Sequence, residues 1–319
     1  MTLNNKKYRV WIDGCFDFTH HGHSGAILQA RQTVSSYNQN KLICGIHNDE
    51  AIRLNKGCLP VMHENERYKH IESIRWVSQI VKDAPYVTDP EWMDRYECRY
   101  VVHGDDITLD ANGEDCYALM KKMDRFMEVK RTPVVSTTEI IHRILNGETV
   151  DDINDKLTLE ELQKYSTGEN GVDKHCFVID GKKNELLVDG IKDIKDKSQW
   201  VVLTGDFDLF HPGDIEQLEN ISKRHPRGVV IAHITHENGG TIMSLKERVL
   251  SVLSCRYIDG VVIGGSPAAE WGLTYKLGDP HVTSNGEFEY LTAHVIQDRI
   301  NAQRDRYEAR NAKKRAPTT

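Results

Sequence analysis

The chain has 319 residues, 39% hydrophobic and 28% charged, with a formal charge of −7; that balance belongs to soluble globular proteins, and the length accommodates two α/β domains with a core each. Residues 147–199 carry 13 acids against 8 lysines, so the rest is close to neutral and no basic face for nucleic acid is expected. No apolar run approaches the ~20 residues of a membrane span, residues 1–7 lack the apolar core of a signal peptide, and the seven cysteines show no C-x-x-C spacing, so the expectation is a cytoplasmic protein of free thiols without stable membrane insertion; peripheral membrane contact stays open.

The first apolar run, residues 8–12, predicts a strand. It leads into Gly14-Cys15-Phe16-Asp17-Phe18-Thr19-His20-His21-Gly22-His23, which opens a helix over 23–35. A helix start offers unpaired N–H groups and the positive end of the dipole, a seat for phosphate. Gly22 permits close backbone approach, and two imidazoles three residues apart can converge on one anion. Alone, His-x-x-His is as often a pair of structural histidines or half of a metal site.

A strand at 42–46 is followed by Lys56-Gly57, expected on a loop, where a lysine is either solvated or a point charge for a triphosphate. A helix is expected over 64–78. The strand at 100–102 ends in His103-Gly104-Asp105-Asp106, paired acids that suit a metal, a hydroxyl or an ammonium, and equally a plain turn. A helix at 114–123 and a strand at 126–129 precede Arg131-Thr132-Pro133-Val134-Val135-Ser136-Thr137-Thr138. There the hydroxyls first read as helix caps for 137–145 and, with Arg131, as a polyphosphate clamp. This alternation predicts a parallel sheet covered on both faces, with ligands at the carboxyl ends of its strands.

The chain then repeats itself. Residues 10–23 and 201–214 share six of fourteen positions, namely Val10/Val201, Gly14/Gly205, Phe16/Phe207, Asp17/Asp208, His20/His211 and Gly22/Gly213. Met62, Glu66, Arg67 and Arg75 reappear in order as Met243, Glu247, Arg248 and Arg256. The domains are therefore expected at 1–146 and 199–319. Between them lies an acidic linker, 147–198, whose short apolar runs could form a hairpin across Asp180-Gly181-Lys182-Lys183.

Taken in order, His-x-Gly-His, Lys56-Gly57, Arg75-Trp76-Val77, Gly104-Asp105-Asp106 and Arg131-Thr132…Ser136-Thr137-Thr138 resemble the cytidylyltransferase family over almost the whole first domain. The resemblance implies two tandem Rossmann-like domains of the HxGH nucleotidyltransferase type. His20, His23, Lys56 and Arg131 would be catalytic, and Gly14, Phe16, Asp17, Gly22, Arg75, Gly104, Asp105, Ser136, Thr137 and Thr138 would bind nucleotide. Magnesium would bridge the oxygens of CTP, with no protein metal cage. Val134 departs from the family, which usually has glycine there, and this leaves the path of that loop open. Tandem copies mark the family's ethanolamine-phosphate branch, whereas its choline-phosphate enzymes carry a long amphipathic lipid-binding helix instead. The tail near Arg310–Arg315 is basic but has no long apolar face.

The implied reaction is transfer from CTP to phosphoethanolamine, for phosphatidylethanolamine synthesis, with choline-phosphate or glycerol-phosphate transfer, or a non-enzymatic nucleotide-binding regulator, as alternatives. An acid-rich substrate end favours a primary ammonium, with Asp49, Tyr86 and Asp106 as its expected partners. The second copy reads as degenerate. Asp214 stands where His23 does, Glu237 where Lys56 does, and no arginine lies between Arg256 and Arg299. The halves are expected to pair within the chain.

Overall fold

The computed structural model describes residues 9–34, 41–130, 135–149, 156–235, 240–283 and 286–315. The chain forms two compact units that are interleaved in sequence. One comprises Met1–Pro133, Gln163–His175 and Ser254–Arg256; the other comprises Val134–Leu162, Cys176–Leu253 and Tyr257–Thr319.

The first unit runs β1 (Arg9–Gly14), α1 (His21–Gln32), β2 (Lys41–Ile46), α2 (Asp49–Lys56), α3 (Glu64–Ser73), β3 (Gln79–Lys82), α4 (Pro90–Arg95), β4 (Cys98–Gly104), α5 (Ala118–Lys122) and β5 (Phe126–Val129). Its five strands are parallel in the order β3-β2-β1-β4-β5. The central β1 is buried on both faces, which is why it reads as a continuous apolar run rather than an alternating one. The chain moves outward from β1 to β3, then returns to the other side of β1 as β4. That reversal opens a crevice at the carboxyl ends of β1 and β4, between the turn at residues 14–19 and Gly104.

Two elements differ from the sequence expectation. Lys56 lies in the last turn of a helix, not on a loop. The side chain of Asn48 caps α2 by accepting the Ala51 N–H at 2.6 Å, and Gly57 ends it in the left-handed conformation at φ 69°. The helix expected over 64–78 stops at Ser73, because Ile74 turns extended (φ −70°, ψ 125°) and pairs antiparallel with Cys255. The flanking bonds are reciprocal: Arg75 N–H to Ser254 O and Arg256 N–H to Ser73 O, both 2.8 Å.

The second unit contains α6 (Thr137–Asn146), and the division between units falls within α7 (Leu159–Tyr165). It continues with β6 (Phe177–Asp180), β7 (Glu185–Val188), β8 (Trp200–Gly205), α8 (Pro212–Arg224), β9 (Val229–Ile234), α9 (Leu245–Leu253), β10 (Gly260–Ile263), β11 (Leu273–Lys276), α10 (Pro280–Thr283), α11 (Ala293–Asn301) and α12 (Arg304–Arg315). Its sheet has the order β11-β8-β9-β10-β6-β7. The segment β11-β8-β9-β10 repeats β4-β1-β2-β3 of the first sheet, all parallel. The anticipated hairpin forms as β6–β7, and β6 adds to the edge of this sheet, so β7 runs antiparallel to the strands described there. Both domains are therefore Rossmann-like, the second with a mixed sheet.

The duplication extends to side-chain detail. Asp17 accepts the N–H groups of Val61 and Met62 at 3.0 Å each, and Asp208 accepts those of Ile242 and Met243 at 2.8 and 2.9 Å. Buried Arg67 donates to Met62 O and Cys15 O, as buried Arg248 does to Met243 O and Asp206 O.

Candidate active site

The turn after β1 holds Phe16 and Phe18 at φ 48° and 53°, a backbone region costly for bulky residues. Thr19 Oγ1 closes the turn on Phe16 O at 2.9 Å. The Phe16 ring lies against Gly14, where an added Cβ would stand 3.3 Å from it, and it meets the His23 ring edge-on at 5.8 Å. The turn thus delivers the chain to α1, with both histidines at the helix start.

His20 is the N-cap of α1. Its Nδ1 accepts the Gly22 N–H at 3.1 Å, and His23 Nδ1 accepts the His20 N–H at 3.5 Å. Since each Nδ1 is an acceptor, each neutral ring carries its proton on Nε2. The two rings lie 4.1 Å apart between centroids. The result is two N–H donors of fixed tautomer at the positive end of a helix, suited to charge developing on a phosphate.

Lys56 is exposed at the end of α2. Desolvation works against its charge there, but Cys15, Tyr86 and Asp17 outweigh it and raise Lys56 well above the ordinary lysine value. Burial pushes the Tyr86 phenol up to about 12, with Lys56 opposing. The Tyr86 ring packs on His47 at 4.9 Å; His47 is buried, with Nδ1 against Ala84 O at 3.1 Å, and burial lowers its pKa.

Several expected ligand residues have other work in this structure. Asp17 holds the segment before α3. Asp49 pairs with buried Arg67 at 2.8 Å and accepts the Glu64 N–H at 3.2 Å. Arg75 is 2% exposed and donates to Thr167 O and Cys255 O. Asp105 and Asp106 are exposed beyond β4. A Cβ at Gly104 would fall 2.8 Å from Asp106 Oδ1, the end of an exposed side chain that can turn aside. Ser136 caps α6 by accepting the Glu139 N–H at 3.1 Å, so it and Thr137 and Thr138 belong to the second unit. Arg131 and Glu237 lie outside the described residues.

Sequence reasoning missed Asp13. Its carboxylate is buried at the carboxyl end of β1 and accepts from Trp11 Nε1 at 2.8 Å, Thr88 Oγ1 at 2.7 Å and Tyr117 O–H at 2.6 Å. All three donors are neutral. The signal was present, because a carboxylate closing a strand buried on both faces is costly without a purpose. Tyr117 in turn stacks on His103 at 4.5 Å.

Among the described residues no three or more His, Cys, Asp or Glu side chains converge as a metal site, and no helix is long and apolar enough to cross a membrane. Together the fold and this crevice define a nucleotidyltransferase. The family model described as cytidylyltransferase-like matches residues 11–143. The ethanolamine-phosphate cytidylyltransferase of Saccharomyces cerevisiae is 52% identical to this chain, over 98% of it and 99% of the yeast protein. The mouse protein of that name is 34% identical over 97% of this chain and 89% of its own length. The probable Schizosaccharomyces pombe counterpart is also 34% identical, over 98% and 95%. The chain belongs to the ethanolamine-phosphate cytidylyltransferase family.

Proposed function

We propose that this enzyme transfers the cytidylyl group of CTP to phosphoethanolamine, giving CDP-ethanolamine and pyrophosphate for phosphatidylethanolamine synthesis in the cytoplasm. The observation that carries this reading is the His20–His23 pair, two Nε2–H donors fixed in tautomer by backbone N–H groups. The phosphate of the acceptor attacks the α-phosphorus of CTP in line, an oxygen–phosphorus bond forms, and the bond to pyrophosphate breaks. Negative charge grows on the α-phosphate and the leaving group, where the two imidazole donors, the helix dipole and Lys56 meet it. Arg131, Ser136, Thr137 and Thr138 carry phosphate roles by resemblance, and Gly14, Phe16 and Gly22 shape the seat.

Magnesium, carried in with CTP, would supply charge neutralisation on the phosphate oxygens. Asp105 and Asp106, exposed beyond β4, would meet the nucleotide and the ammonium respectively. For the ammonium itself, Asp13 is the better partner: the donors it accepts from are neutral, so an incoming cation adds the missing countercharge, with Tyr117 beside it.

The test is pyrophosphate release from magnesium–CTP with phosphoethanolamine, phosphocholine and glycerol phosphate supplied separately. Turnover with phosphoethanolamine preferred supports the reading. Preference for another acceptor keeps the chemistry and overturns the substrate, and no turnover with any of them overturns both.

A further inference from the structure

The crevice of the first unit holds one more acceptor, His47, which belongs to none of the sequence motifs. It directly follows β2, and its backbone N–H donates to Gly14 O at 3.2 Å, so it stands beside the end of β1. Asp13 lies opposite Gly45 in the parallel register of β1 and β2. A Cβ at Gly45 would strike the Trp11 ring and stand 2.9 Å from Ala84 Cβ, which puts that position on the face shared by Trp11 and Asp13. His47, two residues on, falls on the same face. Its contacts agree: Ala84 O at 3.1 Å, the Tyr86 ring at 4.9 Å, and the charge of Asp13 acting on its ring.

A carbonyl oxygen only accepts, so the contact with Ala84 O fixes the His47 proton on Nδ1. The neutral ring then carries a bare lone pair on Nε2, the opposite tautomer to that of His20 and His23. Burial favours this neutral form, with Asp13 opposing. Nε2 bonds to no described residue, yet it is not among the stranded nitrogens sealed from solvent, so it is open to a ligand.

A lone pair on the same face as a buried carboxylate calls for a ligand that is cationic and carries more than one N–H. Phosphate oxygens are repelled by Asp13 and have no such donor. The cytosine amino group donates but brings no charge. A primary ammonium supplies both charge and three N–H groups.

We propose that His47 is a specificity-determining residue for the amine: its Nε2 accepts one N–H of the phosphoethanolamine ammonium while Asp13 accepts another. The inference rests on the phosphoethanolamine reading above and adds a reason for discrimination. Each N-methyl group removes one N–H, and a trimethylated nitrogen leaves the lone pair without a donor.

The experiment uses the full chain and measures pyrophosphate release from magnesium–CTP. The acceptors are phosphoethanolamine, its N-methyl and N,N-dimethyl forms, and phosphocholine. Wild type is compared with His47→Asn, whose amide N–H replaces Nδ1 and which has no atom at Nε2, and with His47→Gln, whose amide reaches the Nε2 position. In His47→Asn the KM for phosphoethanolamine is expected to rise about tenfold or more while KM for CTP holds. The preference for phosphoethanolamine over phosphocholine falls by a similar factor, and His47→Gln restores part of it. A merely structural His47 would move both KM values together and leave the preference unchanged; that result, or His47→Gln no better than His47→Asn, would overturn the proposal. A wild type preferring another acceptor overturns the reading beneath it, an outcome visible before any variant is made. Should the variants fail to fold, the methylated series on wild type decides. Two acceptors predict that the first methyl is tolerated and the second lowers kcat/KM about tenfold or more; no loss before the third methyl, or the full loss at the first, overturns the proposal.

Discussion

His20 and His23 are joined through the backbone: the N–H of His20 is held by His23 Nδ1 while the Nδ1 of His20 holds the N–H of Gly22, and their rings lie 4.1 Å apart. The same bonds that cap α1 therefore choose the tautomer of both rings, so the cap and the proposed chemistry are separable by substitution. His20→Asn keeps a capping acceptor and loses Nε2. It is expected to leave thermal stability nearly intact and lower kcat by about 10² to 10³. His20→Ala loses the cap as well, about 1 kcal/mol. Pyrophosphate release and thermal melts on the two variants check this; equal kcat in His20→Asn and wild type would remove His20 from the chemistry.

Lys56 is raised above the ordinary lysine value, so it keeps its charge as pH rises through the range in which an unperturbed lysine loses it. The expected pH–rate profile has no falling limb from Lys56 below about 10. Lys56→Ala should lower kcat/KM for CTP by about 10² or more. A profile whose alkaline limb below that pH disappears in Lys56→Ala would contradict the assignment.

Asp13 and Asp49 differ in what surrounds them, and their variants should differ in kind. Asp13→Asn is expected to raise KM for phosphoethanolamine about tenfold or more while KM for CTP stays put, since one charge-assisted contact is removed. Asp49→Asn strands the buried Arg67 guanidinium, and its expected effect is a loss of about 1 to 3 kcal/mol in urea unfolding, with no selective change in KM for the amine. The reverse pattern would return the ammonium to Asp49.

Burial holds the Asp208 carboxyl up at about 6, against an ordinary value of 3.8 and despite the N–H groups of Ile242 and Met243. Below the ordinary value the group is protonated folded and unfolded alike. As pH climbs from there through about 6, the unfolded chain sheds this proton first and the folded state loses relative stability, about 3 kcal/mol in total. Wild type should therefore lose ground to Asp208→Asn over that interval. Parallel curves of unfolding free energy against pH for the two proteins would show the carboxyl to be unshifted.

Within the second unit, Arg143 and Glu247 form a buried pair at 2.7 Å, 10% and 4% exposed. Arg143→Met leaves Glu247 buried without its cation and is expected to cost about 3 to 5 kcal/mol, much of it recovered when Glu247→Gln is added. A double-mutant cycle by urea unfolding measures the coupling, and additive effects would mean the pair contributes nothing.

The sequence by itself determined what depends on neighbours a few residues apart. Apolar runs marked four of the five strands of the first sheet, and the His-x-Gly-His motif marked the helix start, because caps and turn conformations are set within two or three residues. The repeat announced the second copy. Three short elements of the first unit escaped. Gln79–Lys82 is a four-residue edge strand with one buried side chain, α2 buries only Ile52 and α4 only Met93, so none leaves an apolar pattern to find. The tertiary structure alone decided the work of Asp17, Asp49, Arg67 and Arg75, whose partners lie up to 180 residues away in sequence. A carboxylate or guanidinium in a motif has the same spacing whether it faces a ligand or another strand of its own chain, and only packing determines which donors and acceptors are left for it to meet.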